Sequence, residues 1–233
     1  MSNNDLQKEL KVWWTLAWPV SLAFSARVGM QITDLAMLGH LPYDPAFPTA
    51  KPVHFLGYAG LSLTWLAFTG AFINMGFGAA LSTLCSQALG ARNPRLCSVW
   101  LQCTLVVVLI ACLPIGIAWY YTDVAIHFLV GEELCGPLCR ELTRKFGQYS
   151  LLWLVPQALY SVLSSYFQAQ QIVYPALTLN CIFVLVNGAL SYTLVFGVGS
   201  FQGLGYVGSP IATAISRLFL VAIFLLYTCV WKR

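Results

Sequence analysis

The sequence predicts an all-α integral membrane protein, a bundle of six membrane-spanning helices. Three observations predict it. The chain is 59% hydrophobic and only 9% charged, with a mean hydropathy of +0.75, whereas a soluble domain carries about 25% charged residues. Six apolar runs, each of about 20 residues or more, are long enough to cross a hydrocarbon core of roughly 30 Å. None shows the polar-apolar alternation of barrel strands, and backbone that faces lipid must satisfy its own hydrogen bonds, so the runs read as helices.

The first run, 12–38, follows a short polar start, MSNNDLQKEL. No basic stretch precedes a short apolar core there, and the run is too long for a signal peptide, so the first helix is expected to be retained. The Pro-rich connection Pro42–Pro52 cannot be helical throughout. The second run, 56–84, carries Gly57, Gly60, Gly70, Gly76 and Gly78, small residues that let helices approach closely. GARNPR (Gly90–Arg95) turns the chain into the third run, 99–121. The link Thr122–Lys145 holds VAIHFLV and the charged CRELTRK, and is expected to lie along the membrane interface. The fourth and fifth runs, 147–167 and 174–197, meet at QAQQIVYP, and the sixth, 205–231, follows the Gly-rich GVGSFQGLGYVG. Residues 1–233 therefore read as a single transmembrane lobe.

Six spans place both termini on one side, and basic residues in short loops favour the cytoplasm. Lys8, Lys11, Arg92, Arg95, Lys232 and Arg233 then lie inside, and Lys51, Arg140, Arg144 and Lys145 outside. No basic patch stands apart from the spans, so the net charge of +4 predicts no nucleic-acid partner. Cys85, Cys97, Cys103, Cys112, Cys181 and Cys229 lie in or beside spans and read as small buried hydrophobes. Cys135 and Cys139 lie in the loop CGPLC, where a local disulfide on an oxidising face and a chance spacing both remain open. His40, His54 and His127 are scattered and no Gly-rich phosphate loop occurs, so neither an enzyme, a metal site nor an organic cofactor is expected.

Polar residues recur at helical spacing inside the spans. Arg27, Gln31 and Asp34 stand at i, i+4 and i+7, one stripe of the first helix. Gln157, Ser161, Ser164 and Gln168 repeat the pattern in the fourth, with Tyr160 alongside, and Asn180, Asn187 and Ser191 do so in the fifth. Asn74 in the second helix and Thr213, Ser216 and Arg217 in the sixth add to the set. Several wet faces imply an enclosed cavity. Its candidate lining is Arg27, Gln31, Asn74, Gln157, Tyr160, Ser161, Gln168, Asn180, Ser191 and Arg217. Bridging hydrogen bonds of about 0.6 kcal/mol each are the plainer account of the serines. A charged residue at mid-membrane costs roughly 2.5–3.5 kcal/mol and needs a stronger reason. For Asp34, a structural ion pair with Arg27 is one reading. The favoured one is a proton-binding carboxylate in a water-accessible cavity, with Arg27 turned elsewhere.

Motifs in order along the chain resemble the N-terminal half of eukaryotic-type multidrug and toxic compound extrusion (MATE) transporters. They are KELKVWWTLAWP (Lys8–Pro19), Asp34 with Gly39-His40-Leu41, ALSTLCSQALGARN (Ala80–Asn93), YFQAQQIVYP (Tyr166–Pro175), and LVNGALSYTLVFGVG followed by GYVGSPIATAIS. The resemblance implies one lobe of a twelve-helix, two-lobed antiporter that exports organic cations or other amphiphiles in exchange for H⁺ or Na⁺. It implies cation or proton coupling at Asp34, with Asn187 beside it. Ser191 stands where one branch of the family has a second carboxylate, a departure from that branch's proton relay. The second lobe is expected to be missing after CVWKR, so a separate six-helix lobe or self-association is the expected partner, besides the lipid bilayer and a small-molecule substrate. The alternatives are a truncated, non-transporting protein that binds a relative, and, more weakly, a lipid-linked sugar flippase.

Overall fold

Proline and glycine punctuate the chain at its turns. The computed structural model describes residues 3–199 and 201–231. Its helices are α1 (Asn3–Gly39), α2 (Pro52–Ala71), α3 (Gly78–Gly90), α4 (Pro94–Tyr120), α5 (Thr122–Val130), α6 (Pro137–Ala169), α7 (Tyr174–Phe196) and α8 (Gly208–Trp231). Pro52, Pro94, Pro137 and Pro175 each sit in the first turn of a helix, where a missing N–H costs nothing. The Asn93 side chain caps α4 by accepting the Leu96 N–H at 3.3 Å. α2 and α3 form one rod interrupted by a wider π turn, Phe72–Phe77, in which the Gly78 N–H reaches back to the Ile73 carbonyl. Lys232 and Arg233 lie outside the described residues, as do the side chains of Lys8, Asn74 and Cys229.

α6 runs through the centre and packs on α2, α3, α4, α5 and α8, while α1 packs on α7 and α2, and α7 on α8. Its approach to the α4–α5 junction depends on Gly147, because a Cβ there would run into the Trp119 carbonyl and Thr122. Pro52–Gly90, Pro94–Tyr120, Tyr174–Phe196 and Gly205–Leu226 are long and apolar enough to cross a membrane. α1 and α6, at 37 and 33 residues, are long enough but more polar, because α1 carries the Arg27–Gln31–Asp34 stripe and α6 opens on charged turns. Large apolar side chains face outward on α4, α7 and α8, among them Ile110, Leu113, Leu185 and Leu226. Trp13, Trp14 and Trp18 are exposed toward the start of α1, in the manner of an interfacial aromatic belt.

The link after α4 differs from its sequence reading. Only TDVAIHFLV forms a separate helix, α5, with Phe128 and Leu129 turned outward. CRELTRK belongs to α6, because Gly136-Pro137 starts that helix before the charged turns. Cys135 and Cys139 are joined by a disulfide and buried against Ile126, fixing the loop to the first turn of α6. Cys103 and Cys181 are exposed rather than buried, on the outward faces of α4 and α7.

The Pro-rich connection is tied down by Asp44. Its Oδ1 accepts the Ala46 N–H at 2.8 Å and its Oδ2 the Tyr206 N–H at 2.7 Å. Gly205, at φ +59°, brings the backbone against this carboxylate, and a Cβ there would collide with it. The Tyr206 ring is fully buried among Phe47, Phe55 and Phe146. This clasp locks the loop after α1 onto the start of α8, and so fixes the ends of two of the three helices that carry the site.

Candidate functional site

Asp34 lies toward the C-terminal end of α1, where the helix packs against α7 and α8, and is only 5% exposed. Three side chains donate to it. Asn187 Nδ2 reaches Oδ1 at 2.7 Å, Ser191 Oγ reaches the same oxygen at 2.6 Å, and Thr213 Oγ1 reaches Oδ2 at 2.8 Å. Asn187 and Ser191 are fully buried, one turn apart on α7. Asn187 Oδ1 is buried without a partner, and Thr213 Oγ1 also lies 3.1 Å from the Ser209 carbonyl.

The donor set explains what this arrangement can do. A hydroxyl donates one hydrogen and accepts others. Were Asp34 to take a proton on Oδ2, Thr213 could accept it and turn its own hydrogen to Ser209. The Asp34 carboxyl oxygens therefore have a satisfied arrangement in each protonation state. It also gathers carboxylate, amide and hydroxyl oxygens, the ligands that hard cations take. Among the described residues Arg27 makes no ion pair with Asp34; its guanidinium lies 5.5 Å from the Phe24 ring centre.

A second region adjoins the first. A cavity of about 370 Å³ opens between α1, α2, the π turn, α6 and α8, lined by Arg27, Gln31, Gln157 and Arg217 and by the rings of Trp119 and Trp153. A smaller pocket at Asp34 and Thr213 shares Gln31, Trp153 and Arg217 with it. Trp119 and Trp153 pack with ring centres 4.7 Å apart, and Trp119 Nε1 donates to Thr69 Oγ1 at 2.7 Å. Arg217 is 7% exposed, its guanidinium lies 4.9 Å from the Trp153 ring centre, and its Nε has no hydrogen-bond partner.

The sequence candidates thus divide. Asp34, Asn187 and Ser191 come together, and Arg27, Gln31, Gln157 and Arg217 line the cavity. Tyr160 and Asn180 sit in an adjoining recess, where Asn180 donates to the Tyr160 hydroxyl. Ser161 and Gln168 do not line the cavity. Ser161 faces Gly78 at the contact between α3 and α6, and Gln168 donates to Ser164 within its own helix at 3.1 Å. The α6 stripe is longer than the cavity is deep, so its far turns serve helix packing. Thr213 belongs to the polar set of the sixth span, but its pairing with Asp34 shows only in three dimensions, since nothing in its spacing predicts it. Trp119 and Trp153 read in sequence as ordinary apolar positions.

Fold and site define a multi-pass, all-α membrane protein with a carboxylate buried among polar side chains from three helices. The MatE family model matches residues 19–193, and the chain belongs to that family, whose members are transporters rather than enzymes. Its relatives include Protein DETOXIFICATION 14 of Arabidopsis thaliana, 26% identical over 224 residues that make up 94% of this chain and 42% of that protein. Multidrug and toxin extrusion protein 1 of Xenopus tropicalis is 29% identical over 178 residues, 76% of this chain and 29% of its own. The crystal structure of the eukaryotic MATE transporter AtDTX14 superimposes with a TM-score of 0.79 at 25% identity, over 96% of this chain and 46% of that one. The chain spans less than half the length of each of these proteins, and its fold is about half of a MATE fold.

Proposed function

We propose that this chain is one lobe of a cation-coupled antiporter, in which Asp34 and Asn187 bind and release the coupling ion, H⁺ or Na⁺. Organic cations or other amphiphilic compounds are exported in return. The observation that carries the reading is the buried Asp34 carboxylate held by movable donors on two other helices. An ionisable group inside a membrane helix marks an ion or substrate pathway. The name of the Xenopus relative, a multidrug and toxin extrusion protein, supports export of foreign compounds. In this reading α1 and α6 also span, giving six crossings with both termini in the cytoplasm. A second six-helix lobe, or a second copy of this chain, closes the open side of the cavity. The test is pH-gradient-driven movement of a fluorescent organic cation into liposomes holding the chain with its partner lobe, or the chain alone if it self-associates. Asp34→Asn is expected to abolish that movement. Movement at the unmutated rate in folded Asp34→Asn would refute coupling at this residue.

A further inference from the structure

The cavity between α1, α2, α6 and α8 has the wrong charge for a simple cation site. Arg27 and Arg217 both line it, each well inside its helix, where a charged residue is costly to place in a bilayer. Among the described residues neither makes an ion pair. Arg27 rests by the Phe24 ring, and Arg217 lies beside Trp153 with its Nε buried and unpartnered. Arg27 and Asp34 each lie within electrostatic reach of Arg217, so the two cations repel beside a single carboxylate. That carboxylate already accepts from three side chains. A helix interior keeps two such groups at a cost that an anionic ligand would offset.

We propose that this cavity binds an amphiphilic aromatic anion, with its carboxylate or sulfonate on Arg217 and Arg27 and its ring against Trp153 and Trp119. The inference narrows the substrate class of the proposed transport lobe and rests on that reading. The planar guanidinium of Arg217 matches a carboxylate, and among the described residues its buried Nε has no hydrogen-bond partner. The two indoles, tilted 59° to one another with ring centres 4.7 Å apart, supply an apolar wall. The volume, about 370 Å³, falls within the range of small-molecule sites. Ion exchange at Asp34 then couples to this cavity through α1 and α8, which carry residues of both, rather than by competition for one charge.

A matched pair of probes tests the sign. Binding of 1-naphthoate and of 1-naphthylmethylammonium is measured by equilibrium dialysis on the protein in lipid nanodiscs. Saturable naphthoate binding is expected, weakened about tenfold or more by Arg217→Gln, as befits loss of a charge-assisted hydrogen bond. Arg27→Gln is expected to weaken it as well, and this half-exposed position keeps the test open should Arg217→Gln fail to fold. Arg217→Lys keeps the charge but loses the fork, and is expected to bind between the two. Tighter binding of the ammonium, or naphthoate binding unchanged in folded arginine variants, overturns the anion site. Asp34→Asn separates the two readings. Naphthoate binding that persists while pH-driven exchange is lost supports both. Asp34-dependent exchange with no naphthoate binding overturns the anion site alone, and naphthoate binding with no Asp34-dependent exchange supports the anion site and sinks the coupling.

Discussion

Asp34 and Asp44 are ten residues apart, both nearly buried and both accepting more than one hydrogen bond, yet they are held by different kinds of donor. Asp44 takes two backbone amides, which can only donate and whose positions are set by the chain. Asp34 takes an amide side chain and two hydroxyls, and the hydroxyls can turn round and accept. The first arrangement suits one state of the carboxylate and holds the fold. The second suits two states and can change without leaving a polar atom orphaned. What a buried acid does is thus legible in whether its partners can reverse direction, more than in how deeply it lies.

The sharpest way to break this comparison is to remove the charge from each acid in turn. Asp34→Asn is expected to lose all pH-driven exchange while melting within a few degrees of the parent in detergent. An amide there can still accept from Asn187 and Ser191 on its oxygen, and it can donate to Thr213, whose hydrogen has Ser209 to turn to. Asp44→Ala is expected to do the reverse. It strands the buried Tyr206 N–H at about 1–3 kcal/mol, so the melting temperature falls clearly. The exchange rate of the fraction that remains folded should be close to normal. Gly205→Ala should copy it, since a left-handed non-glycine residue costs about 1–2 kcal/mol before its methyl group meets Asp44. Loss of exchange in well-folded Asp44→Ala would erase the distinction.

The long apolar helices, their turns and the polar stripes of α1 and α7 were legible in the sequence because apolar length and helical spacing are local signals. The pairing of Asp34 with Asn187 was implied by the family resemblance. The polar stripes of α1 and α7 had only to face each other. Three things were hidden. The π turn at Phe72–Phe77 leaves no compositional mark, since it is a change of hydrogen-bond partner within an apolar run. The role of Asp44 depends on an amide 162 residues away, although the Tyr-Asp-Pro context does signal a turn. The charge of the cavity, although Arg27 and Arg217 were both expected to line it, required knowing that no acidic side chain among the described residues lines the same space. Ser161 and Gln168 show the opposite error, in which correct spacing on a helix longer than the cavity was read as lining.

The finest test of reversible partners is Thr213, the donor that has a second acceptor within reach. Thr213→Ser keeps the hydroxyl and Thr213→Val keeps the shape. If Thr213 only fills space, valine should behave as threonine does and serine should be the worse substitute. If it turns between Asp34 and the Ser209 carbonyl, the order reverses. Serine should keep near-parental exchange, while valine should slow it several-fold, because Oδ2 then loses the one neighbour among its hydrogen-bond partners able to accept its proton. Valine should also shift the pH dependence of exchange relative to the parent, since the charged and neutral forms of Asp34 lose different partners. The direction of that shift reports which form Thr213 stabilises more. A donor to the carboxylate that matters chiefly to the charged form moves the profile of the variant to higher pH, because without it the proton is held more tightly. An unshifted profile with unchanged rate would reduce Thr213 to packing, and leave Ser191 as the only hydroxyl at Asp34 that can turn.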